Sequence, residues 1–292
     1  MRQSLIDLIK TSICFKYSLP NGNIERSVIS TQKDDCYECN DDNEITKIIY
    51  NALIDYSYNE YELDEANFQN LFTKALITKL HYSNDSEKFQ KLGFYGEILL
   101  YAMLRIFYNS NAAISRGYFY HILENGETKG FDAYHFIDNN GTPELWFGEA
   151  KFYQNMNSAI KSVLDKIDIS LSNNYLRENI IALNEHNNNF NLEGTKLQEI
   201  VLKWDNNPDI NIIEELKSCN GKLIYPIFIV GQIDTDYDTT IKKAIDYINE
   251  YTIPEYSMDI EVSIFFIFLP VINTAKIKED VVSWIEKKKP LI

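Results

Sequence analysis

The stretch "KGFDAYHFIDNNGTPELWFGEAKFY", residues 129–153, decides the fold of this chain. Two apolar runs flank "NNGT", residues 139–142, and this composition predicts a tight turn between two strands. If these four residues form the loop, Asp138 pairs with Pro143 and every later pair follows from that register. The stretch therefore predicts an antiparallel hairpin with both strands apolar.

The same register places two acids and a lysine at the open end of the hairpin. Asp132 falls opposite Glu149, and directly opposed residues have Cβ atoms about 4.5–5.5 Å apart. Lys151 follows two residues later on the same face of the strand. That face also carries the apolar side chains of Tyr134, Phe136, Leu145 and Phe147, and the other face carries Ala133, His135, Ile137, Trp146, Gly148 and Ala150.

Two opposed carboxylates repel each other, so a proton, the lysine or a cation must offset their charge. Mg²⁺ prefers one or two carboxylates together with waters and substrate phosphates. A metal held by Asp132 and Glu149 would polarise a phosphodiester, while Lys151 orients water or stabilises developing charge. The alternative is a buried ion pair of Lys151 with either acid.

Glu97 is a second charge in an apolar setting. It lies in "GFYGEILLYAML" on a helix that we expect to run from about Asn84 to Tyr108 and to be interior. A buried glutamate needs a partner. We expect the helix to pack on the sheet and to point Glu97 at the same cluster; the alternative is hydrogen bonding to a tyrosine or to Arg105.

The bulk composition is that of a folded protein with an acidic surface. The chain has 292 residues, 45% of them hydrophobic, and a net charge of −15. That charge argues against nucleic acid, but it is unevenly spread, because residues 31–65 hold eleven acids and two lysines. Four cysteines do not form a disulfide framework, and Cys36-x-x-Cys39 lacks a second ligand pair for zinc.

The remaining pattern predicts an α/β fold with a mixed sheet core flanked by helices. Residues 11–18 alternate like a strand, and the segment 44–80 has helical spacing, so we expect residues 1–82 to form an acidic, mainly helical N-terminal region. Residues 83–292 would form the core. Its further strands are expected at 116–123, 222–231 and 261–270, and its further helices from about 157, at 238–250 and at 274–288.

Several functions find no support in the sequence. The P-loop, dinucleotide-binding and serine-hydrolase motifs are absent, and the four histidines show no metal-ligand spacing. The N-terminus does not resemble a signal peptide, and the longest apolar run, residues 262–272, is too short to span a bilayer. We therefore expect a cytoplasmic protein without a membrane association.

A glutamate on a helix, then Asp132, then Glu149-Ala150-Lys151 at the end of the next strand resembles the PD-(D/E)xK nuclease superfamily of restriction-endonuclease-like folds. The combination of "GFYGEILLYAMLR", "KGFDAYHF" and "LWFGEAKFY" is most similar to the HamA family, the nuclease subunits of the Hachiman anti-phage defence system. The resemblance covers residues 93–153 best and does not reach residues 1–82. Phe131 stands where the superfamily motif has proline.

The resemblance implies a role for each matching residue. Asp132 and Glu149 would bind the metal together with the backbone carbonyl of Ala150, and Glu97 would be a helix-borne acid and a further candidate ligand. Lys151 would be the catalytic lysine. The implied activity is that of a deoxyribonuclease dependent on Mg²⁺ or Mn²⁺.

The resemblance also implies partners: a DNA substrate and a superfamily 2 helicase similar to HamB, which would restrain the nuclease until infection or DNA damage is sensed. Two other functions stay open. One is a non-catalytic relative that binds a helicase or DNA, and the other is a DNA-repair or restriction nuclease. The sequence specifies no oligomeric state, strand preference or activating signal.

Overall fold

The computed structural model describes residues 1–22, 24–58, 62–63, 67–80, 89–113, 120–121, 126–127, 130–184, 193–252 and 255–292. The helices of these residues are α1 Gln3–Ser12, α2 Asp42–Ser57, α3 Phe68–Thr78, α4 Phe94–Ile106, α5 Met156–Leu164, α6 Ile167–Ser170, α7 Asn173–Asn184, α8 Lys196–Asn206, α9 Ile212–Ser218, α10 Tyr237–Glu250 and α11 Thr274–Glu286. The strands are β1 Ile13–Ser18, β2 Asp35–Cys39, β3 Asn111–Ala112, β4 Tyr120–His121, β5 Gly126–Glu127, β6 Ala133–Asn139, β7 Thr142–Phe152, β8 Lys222–Val230 and β9 Glu261–Phe268.

A mixed seven-stranded sheet organises the fold, with the strand order β1-β2-β9-β8-β7-β6-β3. β6 and β7 form an antiparallel hairpin, whereas β7, β8 and β9 run parallel to one another. β8 and β9 are connected through α10, as expected for parallel neighbours. The predicted α/β fold with a mixed sheet flanked by helices is confirmed.

The hairpin has the predicted register. Asp138 pairs with Pro143, and the pairing continues regularly to Ala133 and Gly148. Asn140 and Gly141 both have positive φ in the turn, a conformation that asparagine and glycine adopt at low cost. The Asp138 carboxylate accepts a hydrogen bond from the Gly141 N–H at 2.7 Å and thereby closes the loop.

The two faces of the hairpin enter two different cores, as the alternation predicts. Tyr134, Phe136, Leu145 and Phe147 pack with α5, α8, α9 and α10. Ala133, Trp146 and Ala150 pack on the other side of the sheet with α2, α4 and α11. A sheet covered on both faces holds its strands rigidly, which suits a site at the strand ends.

The N-terminal segment contains the helices α1, α2 and α3, and it also contributes two strands to the central sheet. β1 lies within the strand predicted at 11–18, but β2 was not predicted. β2 lies beside β9, pairing Asp35 with Ile267 and Cys36 with Phe268. The division at residue 82 stays a prediction, although both strands before it belong to the same sheet as the hairpin.

The predicted interior helix is interrupted before Phe94. Its expected start at Asn84 lies outside the described residues, and the chain leaves the helical conformation at residues 91–93 before α4 begins at Phe94. Gly93 occupies the N-cap, and its low helix propensity accounts for a break at this point. The strand expected at 116–123 also falls largely outside the described residues, apart from β4.

No helix in the described part of the chain combines the length and the apolar character needed to cross a membrane.

Candidate active site

Three predicted site residues meet where β7 approaches its end and β6 begins. Glu149 and Lys151 leave β7 on one side, and Ala150 lies between them with its side chain in the opposite core. Asp132 directly precedes β6. The hairpin therefore brings both carboxylates and the lysine together, as predicted.

Lys151 is the centre of the cluster. Its ammonium donates a hydrogen bond to Glu149 and lies 3.7 Å from Asp132 Oδ2. The same ammonium donates to the Ala150 carbonyl oxygen at 3.2 Å. The side chains of Lys151, Asp132 and Glu149 are 18%, 14% and 23% exposed, so the charges are partly withdrawn from water but still reachable from it.

Asp132 does not form the predicted ladder pair with Glu149. The regular ladder ends at the Ala133–Gly148 pair, and the Asp132 N–H then donates to the Gly148 carbonyl oxygen at 2.9 Å. Asp132 Oδ2 instead accepts a hydrogen bond from the Ala150 N–H at 2.9 Å, while Oδ1 has no protein partner among the described residues. The carboxylate is thus held by backbone on one oxygen and presents the other.

Phe131 fixes the backbone that carries Asp132. Its ring is 1% exposed and contacts the rings of Tyr134, Phe147 and Tyr175. Its N–H donates to the Tyr134 hydroxyl at 3.0 Å. A buried aromatic side chain therefore anchors the backbone directly before Asp132.

Gly148 brings β7 close to β8 directly before Glu149. The β7–β8 pairs run to Trp146–Ile224 and resume at Glu149–Ile227, and Pro226 lies in the gap. Proline has no N–H to donate to the neighbouring strand, so the ladder lacks a hydrogen bond here, and the backbones of Gly148 and Pro226 lie in close contact instead. A Cβ on Gly148 would lie 2.6 Å from the Pro226 carbonyl oxygen, which explains the glycine.

The electrostatics of the cluster keep Lys151 charged. Burial by itself lowers the pKa of its ammonium, but the charges of Glu149 and Asp132 outweigh burial and raise the pKa above its ordinary value. Lys151 is therefore a cation that neutralises part of the repulsion between the two acids, rather than a base at neutral pH.

Tyr225 is a neighbour that the sequence did not single out. Burial raises the pKa of its phenol well above the ordinary value, and the charges of Glu149 and Asp132 raise it further. The hydroxyl consequently stays protonated beside the two carboxylates. Only its place on β8 next to β7 reveals it, because a tyrosine in "LIYPIFIV" has the pattern of an ordinary core residue.

Glu97 is buried, as predicted, but its described contact lies elsewhere. Its carboxylate accepts a hydrogen bond from the Tyr56 hydroxyl. The helix α4 packs on β7 through Gly96, where an added Cβ would lie 3.4 Å from the Cβ atoms of Ala150 and Phe152. This is the side of β7 opposite the Glu149 and Lys151 side chains, so the contribution of Glu97 to the cluster stays a prediction.

The donor set at the cluster fits a hard divalent cation with several open positions. Within the described part of the chain, no group of three or more His, Cys, Asp or Glu side chains is arranged to hold a metal. Two carboxylates and the Ala150 carbonyl are nevertheless a donor set that Mg²⁺ or Mn²⁺ accepts when water and phosphate oxygens complete it. The observation that favours this fit is that the Ala150 N–H and Lys151 both contact Oδ2 of Asp132, which leaves Oδ1 without a protein partner among the described residues.

A comparison with known protein families adds an independent finding. The family model described as HamA matches residues 9–285, which includes the N-terminal strands that the motif resemblance did not reach. No curated protein matches the chain.

Proposed function

This chain belongs to the HamA family, and we propose that it is a metal-dependent deoxyribonuclease that acts as the effector of an anti-phage defence system. Membership of the family supports the defence role. The nuclease activity is supported by one observation above the others: Asp132, Glu149 and the Ala150 carbonyl converge around Lys151 at the end of β7.

In the proposed mechanism, Asp132 and Glu149 would hold Mg²⁺ or Mn²⁺, which would supply Lewis-acid activation of the scissile phosphate and of a water nucleophile. Glu149 is ion-paired with Lys151 and would be shared between this pair and the metal. The Lys151 ammonium would donate hydrogen bonds to the attacking water or to a phosphate oxygen on which negative charge develops. The Ala150 N–H holds Asp132 in place throughout.

The proposed partner is a superfamily 2 helicase similar to HamB. A separate DNA-binding subunit is consistent with the net charge of −15, because a strongly acidic protein attracts DNA poorly by itself. The helicase would supply most of the DNA affinity and restrain cleavage, and this chain would make the cut. DNA repair and restriction remain alternative settings for the same chemistry.

One observation favours a second candidate function, a non-catalytic protein that binds a helicase or DNA. Lys151 contacts both acids directly, as it would in a purely structural ion network. Removing one partner of such a network destabilises the fold, whereas a catalytic acid can be replaced with little loss of stability. The two functions therefore predict different effects of a substitution: a loss of stability for the structural ion network and a loss of cleavage for the nuclease.

Plasmid cleavage by Glu149→Gln and Lys151→Met variants tests the proposal, with and without the helicase, in Mg²⁺ and in EDTA. We expect each variant to lose at least about 100-fold in rate, since each removes a metal ligand or a charge-stabilising cation. Cleavage in EDTA, or full activity of either variant, would contradict the mechanism.

A second ion pair on the same strand supplies matched controls. Glu144 on β7 pairs with Lys222 on β8 at 3.3 Å, at the opposite end of β7 from the cluster. Glu144→Gln and Lys222→Met remove the same chemical groups and should leave the cleavage rate within about twofold. Equal losses in both pairs would favour the structural ion network.

A further inference from the structure

An open groove of about 810 Å³ lies beside the carboxyl end of β7. Its walls come from residues 90–91 before α4, from the segment 152–155 that follows Lys151, and from the first turns of α5 and α11. Phe152 in the groove wall directly follows Lys151 in the chain, with its side chain on the opposite side of β7.

The lining of this groove has the opposite charge from the protein as a whole. Two of its residues are the lysines Lys91 and Lys278, and no aspartate or glutamate is found among the described residues that line it. The chain as a whole carries 43 acidic and 28 basic residues. A basic groove on such a protein marks a place that attracts an anion instead of repelling it.

Lys278 is unusual among the lysines of the described residues. It is half-buried, and its ammonium lies 5.3 Å from the ring centroids of Tyr95 and Phe152, with no carboxylate partner among the described residues. Burial lowers the pKa of this ammonium. By contrast, Lys276 on the same helix pairs with Asp280. The aromatic rings hold the Lys278 stem in place and leave its charge for an external anion.

Tyr153 connects the groove to the candidate active site. It lines the groove, it is 42% exposed, and its N–H donates to the Val230 carbonyl oxygen at 3.0 Å. It follows Lys151 by two residues in the chain, so its backbone continues from the strand that carries the cluster into the groove. A polymer that contacts both Lys278 and the acids would therefore cross the carboxyl end of β7, because Lys278 lies on the α4 and α11 side of the sheet and the acids lie on the other side.

We propose that this groove binds the sugar–phosphate backbone of the DNA strand being cut, with Lys278 contacting a phosphate next to the scissile one and Lys91 a second phosphate. The inference rests on the proposed nuclease function and adds the path that the substrate follows. Lys278 is a substrate-positioning residue, not a catalytic one.

The test is equilibrium binding of a fluorescent oligonucleotide to the full chain, with Ca²⁺ in place of Mg²⁺ and over a series of salt concentrations. Each phosphate contact contributes about 0.7–0.9 to the slope of log K against log salt. We expect Lys278→Gln to bind about three- to tenfold more weakly with a slope smaller by that amount, and Lys91→Gln to show a decrease of the same kind. Lys278→Arg, which keeps the charge, should bind as the wild type does.

Lys276→Gln is the matched control, because it removes a lysine from the same helix whose charge is already paired with Asp280. It should change neither the affinity nor the slope. In cleavage assays, Lys278→Gln should raise KM and leave kcat unchanged. If Lys278→Gln does not fold, the exposed Lys91 still gives the answer.

Unchanged affinity and salt slope in both Lys278→Gln and Lys91→Gln would overturn the groove assignment, as would absence of wild-type binding at low salt. These readings do not depend on cleavage. If the proposed nuclease function is wrong, Glu149→Gln will instead keep full cleavage activity, so the two failures are distinguishable.

Discussion

At the scale of single residues, buried carboxylates are stabilised in different ways. Asp132 is held by the Ala150 N–H and neutralised by Lys151. Asp34 is fully buried and accepts hydrogen bonds from Ser30 and from the Phe266 N–H. Burial raises the pKa of Asp34 to about 6, although those hydrogen bonds and the charge of Arg26 act to lower it. Asp34 is therefore a structural residue, and its burial lowers the free energy of unfolding by an amount that depends on pH.

The pKa of Asp34 gives a prediction about stability. The pKa of Asp34 in the folded protein is above its ordinary 3.8, so the unfolded chain releases this proton at a lower pH than the folded chain does. The free energy of unfolding therefore falls as pH rises from about 4 to 6. Asp34→Asn removes this loss while keeping an acceptor oxygen. We expect the variant to gain about 2 kcal/mol relative to wild type between pH 4 and pH 7.

Urea unfolding of both proteins at the two pH values measures that gain. A difference between variant and wild type that is the same at pH 4 and pH 7 would show that Asp34 is not the group responsible.

Glu97 is the residue whose predicted role and described contact diverge most. If it acts in catalysis, Glu97→Gln lowers the cleavage rate by about 100-fold with little change in Tm, because glutamine still accepts the hydrogen bond from Tyr56. Tyr56→Phe, which removes only that hydrogen bond, should cost about 1–3 kcal/mol of stability with a smaller effect on rate. Paired measurements of Tm and initial rate distinguish the roles; a Glu97→Gln variant with wild-type rate would remove Glu97 from the catalytic set.

At the scale of elements, β7 is the strand on which the site depends. Its antiparallel pairing with β6 supplies Asp132, and its parallel pairing with β8 brings Tyr225 near enough for the charge of Glu149 to act on the phenol. Helices pack through apolar side chains on both faces of β7 and leave the strand little freedom to shift. The charged cluster is therefore positioned by an element that is stabilised along most of its length.

Gly148 tests this dependence. In Gly148→Ala the new Cβ meets the Pro226 carbonyl oxygen at 2.6 Å, and a backbone atom in the middle of a sheet cannot rotate away. We expect a loss of about 2–4 kcal/mol in the free energy of unfolding and a fall in cleavage rate beyond that expected from the folded fraction. Thermal unfolding with a parallel rate measurement checks both, and a variant with the Tm of the wild type would show that β7 and β8 can separate at low cost.

At the scale of the whole molecule, the acidic N-terminal segment is part of the scaffold. The Asp42 carboxylate accepts hydrogen bonds from the Ile272 and Asn273 N–H groups, which precede α11. Asp55 forms a buried ion pair with Arg2 at 3.0 Å. Several of the acids that make this segment so negative therefore have structural partners inside the fold.

Deletion of residues 1–82 gives the corresponding prediction. The deletion removes β1 and β2 from the sheet, exposes the edge of β9, and uncovers the core side chains that pack against α2. We expect residues 83–292 alone to show no cooperative unfolding transition in urea. A truncated chain that unfolds cooperatively would instead support the division into an N-terminal region and an independent core.

The sequence by itself determined the hairpin, its register and the grouping of Asp132, Glu149 and Lys151. These follow from an alternating pattern and a short Asn-Gly turn, both of which are local and leave few alternatives. The tertiary structure alone decided the insertion of β2 beside β9, the hydrogen bond of the Ala150 N–H to Asp132, the contact of Glu97 with Tyr56 and the position of Tyr225. Each of these depends on packing between segments far apart in the chain, where burial and steric fit act on pairs of residues that no local pattern connects.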